Sequence, residues 1–397
     1  MPDPAQNKKG RILSGMRPTG KLHLGNYVGA LRNWVNLQDE YDCFFFIADW
    51  HALTTDYADT RMVKQNGLEV MIDYLAAGLD PERSVLFVQS HVPQHAELQL
   101  LLSMITPLGW LERVPTYKEQ RENIKDKDLS TYGFLGYPLL QSADILMYQA
   151  NFVPVGEDQV PHVELTREVA RRFNQFYPLG KVSSRVVRTE KLSPEEKQQL
   201  LAQGREITPD TDFVFYEGED HPVYKRLFVF PEPRPLLTPA AKLPGTDGRK
   251  MSKSYGNTIL LSEPEASLRA KLKTMVTDPA RIRRTDPGNP DVCPVGDLHK
   301  IFSDAETMAK VNVGCRTAGI GCIECKKWAA DSLWKVLGPI QERRAKYEAN
   351  PKLAWDLLEE GSAKARVAAE ATMNEVRAAM NLSQEYEAPV EAAGEGT

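Results

Sequence analysis

The stretch Arg11-Ile-Leu-Ser-Gly-Met-Arg-Pro-Thr-Gly-Lys-Leu-His-Leu-Gly-Asn-Tyr-Val-Gly-Ala30 constrains this chain more than any other. Ile12 to Ser14 suit a buried strand, and Gly15, Pro18, Thr19 and Gly20 oppose its regular continuation, so the chain turns there. Gly25 and Asn26 then open a helix whose apolar side carries Val28, Leu31, Trp34, Val35 and Leu37. A strand, a glycine-rich turn and a helix start leave unpaired N–H groups and the positive end of a helix dipole facing one point, an arrangement that holds a phosphate. Gly25 allows close backbone approach and His23 adds a donor. A tight connection that binds nothing is the plain alternative.

Asp42 to Asp49 reads as a second buried strand, with Trp50 and His51 at its carboxyl end, where ligands of parallel α/β sheets collect. Val85 to Gln89 reads as a third. Between them, Arg61 to Gly78 has helical spacing at Met62, Leu68, Met71, Ile72 and Leu75. This alternation predicts an α/β, Rossmann-like domain with a parallel sheet and helical crossovers. No G-x-G-x-x-G follows the first strand, which counts against a nicotinamide enzyme. Beyond Glu263 strand signals are scarce and helical spacing runs through Leu268 to Met275, Asp297 to Phe302, Trp328 to Tyr347 and Leu353 to Met380, so an all-α domain follows.

The expected organisation is a loose terminus at 1–10, a catalytic domain at 11–260, a helical domain at 261–383 and a disordered acidic tail at 384–397. A charged, poorly periodic segment at about 180–225 reads as an insertion, with a short hairpin or surface lobe near Phe213 to Tyr216. With 397 residues the chain can bury at least one large core. Its longest apolar stretch, Cys43 to Ala48, is too short to span a bilayer, and Met1 to Gly10 lacks the apolar segment of a secretory signal. The expectation is a cytoplasmic protein without a membrane segment. A net charge of −5 gives no global attraction for nucleic acid, so any RNA must meet local basic faces.

A second polar stretch, Asp247-Gly-Arg-Lys-Met-Ser-Lys-Ser-Tyr-Gly-Asn257, carries Arg249, Lys250 and Lys253 on a flexible loop able to close over a triphosphate. Between the two, Trp110 to Ala150 holds Lys118 and Arg121 in a polar part, then a helix after Pro138 bearing Asp144 on an otherwise apolar run. An isolated carboxylate there either meets a donor, lies on an exposed face or sits in a satisfied ion pair. Val153 to Gln159 reads as a strand, a glycine turn and a helix start, which by itself is an ordinary acidic helix cap.

His23-Leu-Gly-Asn26 resembles the first signature of the class I aminoacyl-tRNA synthetases, and Lys250-Met-Ser-Lys-Ser254 matches their second in full. Thr19 to Tyr27 with Gly29-Ala-Leu, Val153-Pro-Val-Gly-Glu-Asp-Gln159 and His162-Val-Glu-Leu-Thr-Arg167 resemble the tryptophanyl-tRNA synthetase family over about residues 11–180 and 228–383. The resemblance implies that His23 and Asn26 hold the phosphates of ATP from one side while Lys250, Met251, Ser252 and Lys253 close from the other, with Gly25, Lys118 and Arg17 nearby. It implies Mg2+ on the pyrophosphate, Gly156 and Asp158 against the ribose, and Gln159, Tyr137 and His51 around the amino acid. Asp144 becomes the partner of the indole N–H: the one is acceptor only, the other donor only, so phenylalanine leaves the acid unsatisfied. Arg17 stands where many members have glutamine, and Gln120 where many have lysine.

The helical domain then corresponds to the family's anticodon-reading domain, with Lys326, Lys327, Arg343, Arg344 and Lys346 as basic positions for tRNA(Trp) phosphates or merely a solvated face. Related enzymes suggest a homodimer. The rivals are a tyrosyl-tRNA synthetase, which shares the fold and an acid in the side-chain pocket, and a non-catalytic RNA-binding paralogue.

Cys293, Cys315, Cys322 and Cys325 crowd into a window of 33 residues, with spacing x21, x6 and x2. Four thiolates with a C-x-x-C bite suit Zn2+ or a [4Fe-4S] cluster, against chance burial or a redox pair. A subset of the bacterial tryptophanyl-tRNA synthetases carries a [4Fe-4S] cluster on nearly this pattern, and by that resemblance the cluster is expected here, with zinc as the alternative. Cys43, inside an apolar run, reads as an inert buried thiol.

Overall fold

The structure is a computed structural model and describes residues 8–115, 117, 129–179, 185–188, 193–195, 197–198, 212–216, 223–226, 228–237 and 243–383. Among the described residues, five strands form one sheet in the order β3-β2-β1-β4-β8: β1 is Arg11–Met16, β2 Asp42–Ile47, β3 Ser84–Val88, β4 Phe152–Val155 and β8 Arg234–Leu237. Every pairing in it is parallel. The chain moves outward from β1 through β2 to β3, then returns to place β4 on the other side of β1. That reversal opens a crevice at the carboxyl ends of β1 and β4, where open α/β sheets bind ligands.

The apolar run of β2 divides between the two faces of the sheet. Cys43, Phe45 and Ile47 join one core, while Phe44, Phe46 and Ala48 join the other. Burial on both faces is why this strand is apolar without alternation. Trp34, from the helix after the first turn, stacks on Phe45 at 4.7 Å and meets the edge of Tyr74 at 5.7 Å. The crossover helix Val63–Ala77 stops at Gly78, whose φ of +115° is a left-handed value that glycine adopts without strain.

The helical part follows as Glu265–Thr274, Pro294–Phe302, Ala305–Arg316, Cys322–Ala349 and Pro351–Ala379. The last of these lies on edge strand β3, where Ser362 Oγ accepts the N–H of Val88 at 3.3 Å and donates to the Leu358 carbonyl at 2.8 Å. An otherwise unpaired edge is thereby covered.

Several expectations change. The helix expected after Pro138 runs over Tyr132–Met147 with Pro138 inside, because Thr131 caps it by accepting the Phe134 N–H at 3.2 Å. Strand β2 ends at Ile47, and Trp50 and His51 follow its carboxyl end within a helix, Asp49–Asp56. The first helix contains a π-helical segment, Tyr27–Leu31. Ala305–Arg316 was not expected, although Asp304 announces it by accepting the Thr307 N–H at 2.9 Å. Within the segment read as an insertion, β5 (Arg185–Arg188), β6 (Asp212–Tyr216) and β7 (Val223–Arg226) form an antiparallel sheet in that order. Lys118, Gln120, Arg121 and the tail at 384–397 lie outside the described residues.

Candidate active site

A cleft of about 360 Å³ occupies the crevice between the carboxyl ends of β1 and β4. Arg17, His51, Tyr137, Asp144, Gly156 and Gln159, expected to meet ATP or tryptophan, all line it. Asp158 is exposed beside them and accepts a hydrogen bond from Gln159 Nε2 at 2.9 Å.

Asp144 is 0% exposed. Its Oδ1 accepts from Gln89 Nε2 at 2.7 Å and meets His95 Nδ1 at 2.6 Å, and its Oδ2 meets His51 Nε2 at 2.7 Å. Burial alone would raise its pKa, but the charge and hydrogen bonds of His51 and His95 overcome that and hold it down to about 2. Tyr148 lies behind His95, its hydroxyl 2.8 Å from Nε2. Burial first, and then the charge of Asp144, raise the Tyr148 pKa well above its ordinary value, so the hydroxyl beside the His95 ring keeps its proton. The acid is thus fixed in direction and ionised, with acceptor capacity left for one further donor. Gln89 and His95 escaped the sequence reading. Gln89 at the carboxyl end of β3 carried a positional signal, whereas His95 carried none.

The two signature segments meet. Leu24 N–H donates to the Ile259 carbonyl and Leu261 N–H to the Leu22 carbonyl, both at 2.9 Å, on either side of a bridge between His23 and Leu260. Lys253 Nζ reaches across to the carbonyls of Gly20 at 2.9 Å and Thr19 at 3.1 Å. Asn26 Oδ1 accepts the N–H of His23 at 3.1 Å and tightens the turn. A Cβ on Gly25 would lie 2.9 Å from the His23 ring and 3.8 Å from Met251, so a larger residue there would displace His23. Burial, and then the charge of Lys253, lower the His23 pKa to about 4, which makes its ring a neutral donor at physiological pH.

The loop around Lys250 is shaped by Asn257. The Asn257 Oδ1 accepts the Ser252 N–H at 2.8 Å, and its Nδ2 donates to Asp247 at 2.7 Å and to the Lys250 carbonyl at 3.1 Å. The Lys250 side chain is left exposed. Arg17 lines the cleft but is tied to the Asp49–Asp56 helix, donating to the Thr55 hydroxyl and lying 3.8 Å from Asp56.

Residues 5–338 match the family described as class I tRNA synthetases (W and Y). The chain is 52% identical to the tryptophan–tRNA ligase of Ralstonia nicotianae over 94% of its own length and 98% of that protein, and 50% identical to that of Thermotoga maritima over 94% and 99%. This chain belongs to the tryptophan–tRNA ligases. A tryptophanyl-tRNA synthetase structure from Campylobacter jejuni, complexed with ADP and tryptophan, superposes with a TM-score of 0.74 at 29% identity, covering 94% of this chain and all of the other. The doubly wound sheet with its helical C-terminal region is the class I synthetase fold of that ligase family.

For a tryptophan–tRNA ligase carrying four clustered cysteines, the thiols were expected to converge on a metal group. Among the described residues no set of three or more His, Cys, Asp or Glu side chains stands close enough to hold a metal ion. The sulfurs nevertheless share a neighbourhood. Burial raises the Cys325 thiol to about 12, and the charges of Cys293, Cys315 and Cys322 push it the same way. Cys315 is raised first by burial and then lowered by Arg281, whose Nη1 is 3.9 Å from the sulfur. The donor chemistry of the four thiols suits a thiolate-bound group.

Two of the expected RNA-facing cations are corrected as well. Arg344 is buried in ion pairs, and Lys326 is buried with its ammonium on the Lys273 carbonyl at 3.0 Å, whereas Lys327, Arg343 and Lys346 are exposed.

Proposed function

We propose that this protein activates tryptophan with ATP and passes it to tRNA(Trp). The tryptophan carboxylate attacks the α-phosphate in line, an oxygen–phosphorus bond forms, the bond to the bridging oxygen breaks, and pyrophosphate leaves. A hydroxyl at the 3′ end of the transfer RNA then displaces AMP from the adenylate. No protein nucleophile is needed, so catalysis rests on positioning and on charge stabilisation at the phosphates. ATP enters as its magnesium complex.

The observation that carries the reading is the ionised, fully buried Asp144 at the wall of the switch-point cleft. It accepts the indole N–H, and His51, Tyr137 and Gln159 enclose the amino acid. Gly156 and Asp158 lie against the ribose. His23 and Asn26 grip the phosphates from the first turn, with Gly25 admitting them, while Lys250, Met251, Ser252 and Lys253 close from the second segment; Lys118 and Arg17 complete the set. The test is ATP–pyrophosphate exchange with each standard amino acid in turn. Exchange driven by tyrosine, or by none, would overturn the reading.

The four cysteines are read as the seat of a [4Fe-4S] cluster, with Zn2+ as the alternative. Their donor set and shared neighbourhood support this. When bound, such a group would order the helical region, and Cys293, Cys315, Cys322 and Cys325 would supply the thiolates. Iron and acid-labile sulfide content of anaerobically purified protein tests it; one equivalent of zinc refutes it.

A homodimer is also proposed, supported by exposed Leu100, Met104 and Leu108 along one short stretch, and sedimentation velocity showing only monomer would count against it. Among the described residues no helix is long and apolar enough to cross a membrane, which accords with the proposed cytoplasmic location.

A further inference from the structure

Asp73 lies in the buried middle of the Val63–Ala77 helix, and its two oxygens have separate partners. Oδ2 accepts the backbone N–H of Leu22 at 2.7 Å, one residue before His23. Oδ1 pairs with Arg344 Nη1. Arg344 is 1% exposed and comes from the Cys322–Ala349 helix; its other nitrogens pair with Glu69 and, at 2.8 Å, with Glu348. Beside it, Arg343 Nε donates to the Ala76 carbonyl at 2.6 Å. Lys21, on the turn itself, is 3.7 Å from Glu69 and 4.0 Å from Glu348.

A buried ion cluster is a poor source of net stability, because desolvation offsets the attraction and apolar side chains would join these helices as well. What charged, directional bonds add is geometry. Leu22 is held at both ends, its N–H by Asp73 and its carbonyl by Leu261, so the residue leading into the first signature has little freedom.

We propose that Asp73 is a positioning residue for the nucleotide chemistry: it fixes the Leu22 amide, and through it His23 and the polyphosphate turn, while Arg344 orients it from the helical region. Burial lowers the Lys253 pKa and the charge of Asp73 opposes this, so the same carboxylate also favours the ammonium that spans the turn. The proposal rests on the turn being the polyphosphate grip.

The test compares Asp73→Ala, Asp73→Asn and Glu69→Gln in ATP–pyrophosphate exchange. Asp73→Ala is expected to raise KM for ATP about tenfold while tryptophan affinity stays within about twofold. Asp73→Asn keeps an oxygen for Leu22 and should recover most of that loss. Glu69→Gln, which leaves Leu22 untouched, should lower Tm without moving KM for ATP. If Asp73→Ala does not fold, Arg344→Lys is read instead, with faster hydrogen exchange at the Leu22 amide and a raised KM for ATP expected. Unchanged KM for ATP in Asp73→Ala or, failing that, in Arg344→Lys, or equal losses for ATP and tryptophan, would overturn the role. Wild-type protein inactive in exchange would instead count against the polyphosphate grip itself.

Discussion

Lys253 Nζ donates to the backbone carbonyl of Gly20 at 2.9 Å, joining segments 233 residues apart in sequence. Its partners in the turn are the neutral oxygens of Gly20 and Thr19. Carbonyl oxygens attract an ammonium less than phosphate oxygens do. In the proposed function, an incoming triphosphate therefore offers Lys253 a stronger partner than these oxygens.

Removing that ammonium should affect chemistry more than recognition. Lys253→Ala is expected to slow adenylate formation about a hundredfold or more, the usual cost of losing one stabilising group at developing phosphate charge. Tryptophan affinity should stay within about twofold, since Asp144 and its donors are untouched. Single-turnover kinetics beside an equilibrium titration decide it; equal losses in both would contradict a closing role.

Asp144→Asn tests the recognition of the indole. The side chain keeps its shape but gains a donor and loses its charge, so the Gln89, His95 and His51 contacts weaken along with the acceptor for the ring N–H. The kcat/KM for tryptophan should fall about a hundredfold or more, and discrimination against phenylalanine should narrow. Exchange assays with both amino acids measure it.

Most of the sheet was legible because buried parallel strands are continuous apolar runs, as Cys43 to Ala48 is, and because glycines such as Gly20 and Gly78 mark the turns. The residues lining the cleft were expected from the family resemblance, since their local sequence alone left the plain alternatives open. Tertiary partners were not: nothing in the local sequence pairs His95 with Asp144, or Arg344 with Asp73. A helical arginine reads as solvated until the packing of two distant helices buries it. Likewise, Pro138 reads as a helix start, and only the Thr131 cap shows otherwise.

His162 gives a pH signature. Burial, and then the charge of His51, lower its pKa from 6.5 to about 4. Below about pH 6.5 the unfolded chain therefore takes up a proton that the folded chain refuses, so this stability is complete above pH 6.5 and lost as pH falls toward 4. Asp73 acts in the opposite sense, since burial raises it to about 6 despite Arg344. His162→Asn should accordingly show a shallower fall of Tm between pH 6.5 and 4.5 than the unmodified protein. Parallel curves would exclude the assignment.

Gly361 tests how the C-terminal helix sits on the sheet. It lies within Pro351–Ala379, where propensity alone favours alanine by about 1 kcal/mol. A Cβ there, however, would overlap the backbone carbonyl of Leu86 on β3, an atom that cannot swing aside as a flexible side chain can. Gly361→Ala should therefore destabilise by about 1–3 kcal/mol, the usual cost of overpacking. Gly133, in the Tyr132–Met147 helix, has no atom within 4 Å of a Cβ position, so Gly133→Ala should be neutral or stabilising by about 0.5–1 kcal/mol. Urea denaturation of the two variants gives opposite signs if the helix approaches β3 this closely; a stabilising Gly361→Ala would mean that it stands further off.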